Sequence, residues 1–287
     1  MNLRIVKKKI KSVKNVRKIT KAMQMVSAVK MRKAQQAELE SRPYRDGLTE
    51  LIGKISAHVD PSQAQLLQID TSKAKKEILI VITSNKGLAG AFNMNVLREV
   101  IRKDRNFNET EFVTVGAKGS QFLGRIKGSY IIADFISNSP VNEVSAMFNL
   151  VVEKYMTGQY RAIKIIFNQF ISTLKSEVIE ETILPLTLVE TKETKKEENS
   201  HAEYLIEPSA KEILDQLLKS FVEQKIRGAI ISSEAVEHSS RMMAMKSATD
   251  NASDLIDQLT LLSNRLRQEK ITNELLDMIT AKESVES

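Results

Sequence analysis

The chain has no cysteine, so neither a disulfide framework nor a thiolate metal site can form, and a reducing compartment is permitted. Its three histidines, His58, His201 and His238, lie far apart in sequence, so a clustered metal site is not expected and no cofactor is read from the residues. No run of about 18 apolar residues occurs, and no transmembrane helix is expected. After Pro208 there is no further proline and a single glycine, Gly228, in 79 residues. At the other end no acid precedes Glu38 and no aromatic residue precedes Tyr44. The missing aromatics leave a nucleic acid no stacking platform there.

The missing acids leave 12 Lys/Arg unbalanced in residues 1–37. The other 31 Lys/Arg stand against 36 Asp/Glu, a balance of −5, so the net charge of +7 belongs to one segment. A basic helix serves anionic lipid, nucleic acid or an acidic protein surface. Transit peptides favour Arg and Ser, whereas this segment is Lys-rich and continues its helical pattern past residue 40. With 287 residues and 42% hydrophobic content, the chain can bury a substantial core in one or two domains.

What is present at both ends is heptad spacing. Met245, Ala248, Ala252, Leu255, Leu259, Leu262 and Leu266 step by three and four, which keeps one helical stripe against a partner helix. Leu3, Val6, Ile10 and Val13 repeat the spacing near the start; Val16, Ile19, Met23, Val26 and Val29 continue it with consecutive steps of three, which reads as a stammer. Pro43 is expected to bend this helix and Pro61 to close it. The last helix is expected over about residues 227–279, about 80 Å long, with a break or kink at Gly228 preferred to a short strand. A compact body between two such helices makes them antiparallel and leaves the C-terminus as the free tip.

Between them the texture is α/β. Strands are expected at Ile78–Thr83, Glu111–Val115, Tyr130–Phe135, Ala162–Phe170 and Glu177–Ile183, the first three alternating with helices and the last forming an antiparallel edge. Residues 191–200 read as a solvated loop and Tyr204–Ile206 as a further strand. The expected fold is therefore an antiparallel coiled coil of N- and C-terminal helices with an inserted Rossmann-like α/β domain. Its divisions are 1–60, 75–207 and 208–287.

Catalytic patterns are weak. Ser84–Gly90 follows the first strand, where nucleotide loops sit, but its lysine precedes its glycine and it has only two glycines, so it reads as a structural turn. Glu237, His238, Ser239 and Ser240 are adjacent on one helix and point in different directions, which prevents a catalytic triad. Met23, Met25, Met31, Met242, Met243 and Met245 read as packing near the seam.

Four segments carry a resemblance. "VKNVRKITKAMQMVSAVKMRKAQ" (13–35), "SNKGLAGAFN" (84–93) and the pair "EHSSRMMAMKSATDNA" (237–252) and "NRLRQEKITNELLDMI" (264–279) resemble the gamma subunit of rotary ATP synthases. The match spans the chain, with Ala89 and Ala91 where that family often has cysteine and glycine, and Ala281-Lys282 where Gly-Ala is usual. The resemblance implies a noncatalytic central-stalk rotor, driven by proton or sodium flow, at the cytoplasmic face of the bacterial inner membrane. Its implied partners are three alpha and three beta subunits, the epsilon subunit and the membrane c-ring, with no nucleic acid. It places Lys18, Lys21, Met23, Lys30, Arg32 and Lys33 against the catalytic subunits. It also gives Arg267 and Gln268 a hydrogen-bonding role at a catalytic loop, which Thr272 and Glu274 extend along the helix. The alternative reading is a basic coiled-coil protein binding anionic membrane or nucleic acid.

Overall fold

The computed structural model describes residues 2–56, 66, 74–102, 105–126, 128–186 and 210–286. The expected loop at 191–200 and strand at Tyr204–Ile206 lie outside them. The elements run α1 (Leu3–Ser56), β1 (Lys76–Ile82), α2 (Phe92–Arg102), β2 (Thr110–Val115), α3 (Ala117–Leu123) and β3 (Tyr130–Phe135). They continue with a 3-10 turn (Pro140–Glu143), α4 (Val144–Met156), β4 (Tyr160–Phe170), β5 (Ser176–Leu184) and α5 (Ala210–Glu286). Two compact units result: residues 29–240, and residues 1–28 with 241–287.

In the first unit the strands form one sheet in the order β3-β2-β1-β4-β5. The pairs β1–β2, β2–β3 and β1–β4 are parallel, and β4–β5 is antiparallel. The run "KEILIVI" explains why β1 is central: from Glu77 on, every residue is buried, as a strand covered on both faces requires. Ile78, Ile80 and Ile82 point to a core closed by Leu48 and Ile52 of α1, Met147 and Val151 of α4, and Leu218, Val222 and Ile226 of α5. Leu79 and Val81 point the other way, to Val96, Leu97 and Val100 of α2 and Leu123 of α3.

Gly228 does not break α5, which continues through it as helix. A Cβ at this position would stand 3.3 Å from Nη1 of Arg45, whose guanidinium pairs with Glu38 at 3.1 Å. The glycine makes room for an arginine of α1. Helix α1 likewise continues through Pro43 at the loss of one backbone hydrogen bond.

In the second unit, Thr249 Oγ1 donates to Thr20 Oγ1 at 2.8 Å, and both residues are buried. Contacts step in opposite directions along the two helices, since Lys30 and Lys33 of α1 act on Glu234 of α5 and Arg45, further along α1, lies beside the earlier Gly228. The helices are therefore antiparallel. The expected stammer is absent. Val6, Val13, Thr20 and Ser27 recur at intervals of seven on the covered side of α1, and Ala34 and Leu48 keep the period in the first unit. Val16, Ile19 and Val29 face solvent, and Val26, expected in the seam, is 57% exposed while neighbouring Ser27 takes the buried place. On α5 Met245 and Ala252 are buried, and Ala248, Leu259, Leu262 and Leu266 are half-buried. Leu255 is 42% exposed, and Ile256, one residue further round the helix, is buried instead. Apolarity misplaced the seam at Thr20, Ser27 and Thr249, where hydroxyl side chains are buried between the helices.

Candidate functional site

Parallel strands that leave β1 in opposite directions open a crevice at the carboxyl ends of β1 and β4, where doubly wound domains hold ligands. Here α5 occupies that place. Val236 is buried with Ala89 and Phe92, and Phe170 packs against them. Ser232 Oγ accepts the backbone N–H of Phe170 at 2.8 Å, and Ser239 Oγ donates to the carbonyl of Thr173 at 2.6 Å. Ser239, one member of the unlikely triad, is thus a helix-to-hairpin fastener.

The turn after β1 is equally committed. A helix amino terminus offers unpaired N–H groups to an anion. Those of α3 are taken: Ala117 N–H donates to Asn85 Oδ1 at 3.0 Å, Lys118 N–H to the carbonyl of Ser84 at 3.1 Å, and Gly119 N–H to Thr83 Oγ1 at 2.8 Å. Asn93 Oδ1 accepts from the Ser84 N–H at 2.9 Å, and Asn85 Nδ2 donates to the carbonyl of Ser137. Gly116 has φ +94°, and a Cβ there would lie 2.2 Å from the Thr83 carbonyl oxygen. The structural reading of Ser84–Gly90 fits this network. Sequence reading missed Asn85, although an asparagine directly after a strand is a common side-chain bridge in turns.

A cleft of 310 Å³ opens at the amino ends of the strands, around Glu77, Arg105, Arg161, Lys164 and Glu180. Arg105 spans Glu77 at 2.9 Å and Glu180 at 2.7 Å, all three buried. Burial would raise the Glu77 carboxyl, but Lys164, 2.7 Å away, with Arg105 and Arg161 outweighs it and holds the group below the usual carboxylate range.

The basic face of α1 is open. Lys18, Lys21, Lys30, Arg32 and Lys33 are exposed and Met23 is half-buried. Lys21 donates to its neighbour Gln24 at 3.4 Å. Glu234 of α5 lies within the field of Lys30 and Lys33, which lower its carboxyl; burial and then Glu237 raise it, and they prevail. At the end of α5, residues 267–281 are all exposed. Arg267 and Glu274 lie two turns apart on one face, with Gln268 and Thr272 a turn apart beside them. Glu274 pairs with Lys270 at 3.3 Å on the surface. Among the described residues no cluster of metal-ligating side chains occurs, and no helix is long and apolar enough to cross a membrane.

A nucleotide-type sheet whose ligand crevice is filled by its own helix, together with a two-helix coil bearing open charged surfaces, defines a helical stalk protein. The family model described as ATP synthase matches residues 2–285. The ATP synthase gamma chain of Geobacter metallireducens is 39% identical over 99% of both chains, and that of Methylacidiphilum infernorum 38% identical over 97% of both. Among solved structures, a chain of the Euglena gracilis mitochondrial ATP synthase shares the fold with a TM-score of 0.69 at 18% identity, over 99% of this chain and 94% of that one. A chain of the Tetrahymena thermophila mitochondrial central stalk and c-ring structure aligns with a TM-score of 0.58 at 24% identity, over 80% of this chain and 99% of that one. The chain belongs to the ATP synthase gamma-chain family. It is a noncatalytic subunit of ATP synthase, the rotor part of its central stalk.

Proposed function

We propose that this subunit transmits rotation of an ion-driven c-ring to a hexamer of three alpha and three beta subunits. In this reading residues 1–60 and 208–287 form the shaft, and residues 75–207 form the foot that meets the c-ring and the epsilon subunit. The driving ion is a proton or sodium, and the complex stands at the cytoplasmic face of a bacterial inner membrane. The observation that carries the reading is the open acid-free face of α1, where Lys18, Lys21, Lys30, Arg32 and Lys33 flank exposed Val16, Ile19, Val26 and Val29. Apolar and cationic groups on a helix whose seam is already satisfied suit a moving contact with acidic surfaces. Met23 belongs to the same contact. A stiff shaft that presents a different face to each of three like sites biases them differently, which coupling requires. The alternative, a basic coiled coil on anionic membrane or nucleic acid, does not account for likeness to gamma chains over the whole length.

Replacing all five cations with glutamine is expected to lower coupled ATP synthesis several-fold and flatten its salt dependence. Single replacements do little, since one exposed pair is worth about 0–1 kcal/mol. Unchanged coupling and salt dependence in the quintuple variant would remove the basic face from the mechanism. At the tip, Arg267→Ala with Gln268→Ala is expected to reduce torque or turnover while changing the stability of the free subunit by less than about 0.5 kcal/mol. Failure to assemble would reassign both residues to packing.

A further inference from the structure

No described residue of α1 or α5 lines the cleft at the amino ends of the strands. Its walls come from β1, β2, β4, β5 and the segment between α2 and β2, and every described lining residue has a charged or polar side chain. Pockets for organic ligands are mostly apolar, with a few polar groups that set orientation. A cleft of 310 Å³ with this lining gives a base, a ring or an acyl chain little to pack against. It suits a small and fully polar ligand.

The charges decide the sign of that ligand. Arg105, Arg161, Lys164 and Lys75 stand against Glu77, Glu180 and Glu109, a surplus of one positive charge. Depth adds to the bias, since the side chains of Glu77 and Glu180 are 8% and 9% exposed, whereas Arg161 is 59% and Lys164 25% exposed and Lys75 stands in solvent. A solute entering the cleft meets the cations first. The deep carboxylate oxygens are already taken. Glu77 Oε1 accepts from Arg105, and its Oε2 from Lys164 and, at 3.4 Å, from Arg161. Glu180 Oε2 accepts from Arg105 at 2.7 Å, and its Oε1 lies 3.8 Å from Lys164 Nζ. Donors exceed acceptors. Nε of Arg105, a side chain only 4% exposed, has no partner among the described residues, and a buried donor is seldom left unpaired.

We propose that this cleft binds a tetrahedral oxyanion of the phosphate class, held by Arg161 and Lys164 of β4 and by Lys75 ahead of β1, whose oxygens supply the acceptors that Glu77 and Glu180 have already spent. A guanidinium and two ammonium groups brought together from different strands match an anion with several oxygens, and match chloride, a single point charge, less well. Dissolved phosphate, which ATP synthesis consumes, and the phosphate of a lipid headgroup present the same oxygens. A few partly solvated charges hold such an ion weakly, with half-saturation expected at about 1–10 mM.

The test uses the full subunit. Potassium phosphate is titrated against potassium chloride at matched ionic strength, and bound phosphate is counted by equilibrium dialysis. One phosphate per chain is expected, displaced by sulfate, with the thermal midpoint rising by about 3 °C at ten times half-saturation. Lys75→Gln with Arg161→Gln is expected to weaken phosphate by about five-fold or more and to leave the phosphate-free midpoint within about 2 °C of the parent, since both side chains are exposed. Should that variant be less stable, Lys75→Gln alone carries the test, with an expected loss of about two-fold or more. Lys118→Gln with Lys175→Gln removes the same charge at the other end of the strands and is expected to bind phosphate as the parent does. The two sources separate on phosphatidylcholine vesicles with and without phosphatidic acid. Retention that requires phosphatidic acid, falls in the Lys75→Gln, Arg161→Gln variant and is displaced by phosphate would give the site to a lipid headgroup; phosphate binding without such retention would give it to the dissolved ion. Chloride acting as well as phosphate, saturable binding of neither kind, or an equal loss in both double variants would overturn the site.

Discussion

The Thr20–Thr249 pair shows how little a buried hydroxyl contributes once its partner is present. Thr249 donates to Thr20, and Thr20 in turn donates to the Arg17 carbonyl at 3.1 Å. Each Thr249 hydrogen bond replaces one to water, a net gain of only about 1 kcal/mol. Thr249 also has the Met245 carbonyl 2.8 Å away as a fallback acceptor. Thr20→Val is therefore expected to cost less than about 1 kcal/mol, and the double change Thr20→Val, Thr249→Val to be neutral or stabilising, because methyls replace both hydroxyls at equal volume. Chemical denaturation of the four members of the cycle checks this; a loss of more than about 2 kcal/mol in the double variant would mean the hydroxyls do more than pair. The same residues explain where sequence reading failed. A search for apolar periodicity selects Val26 over Ser27, because it cannot know how closely two helices approach, and Leu255 over Ile256, because two adjacent aliphatic residues fit the spacing almost equally.

Among the elements, β5 is fastened to the parallel strands by more than its ladder. Arg105, just beyond α2, joins Glu77 of β1 to Glu180 of β5 across β4, and Lys164 of β4 fills the space between. Arg105→Leu would leave two buried carboxylates with Lys164 as their main partner, at an expected cost of about 3–5 kcal/mol in urea unfolding. The pH dependence follows from Glu77. Its folded value lies below the unfolded carboxyl value of about 4.3, so its stabilisation is complete above that pH and lost as pH falls through the folded value. Glu77→Gln should thus be less stable at neutral pH and lose less stability on acidification from pH 6 to pH 3; an acid limb as steep as that of the parent would show that other carboxylates set it. The strands themselves were legible. "ILIVIT" is buried on both faces, as its unbroken apolar run suggests, and the antiparallel edge appears at β5. The Arg105 cluster was not legible, since its members lie up to 103 positions apart between Glu77 and Glu180 and no local period links them.

At the level of the whole subunit, the fold is of a kind that often binds nucleotides, and its chemistry is arranged against doing so. The α3 amino terminus is capped by residues 83–85, and the switch-point crevice holds Ser232, Val236 and Ser239. Isothermal titration of the free subunit with ATP is expected to show no stoichiometric tight binding; a micromolar site would mean that α5 leaves the crevice readily. Considered as binding, residues 232–239 are a tethered ligand, whose effective concentration is set by the chain that carries them and not by dilution. A free nucleotide would have to outcompete a ligand that cannot diffuse away. The crevice that other domains of this kind use for a ligand has become a grip, and the grip is expected to hold equally as cellular ATP rises and falls.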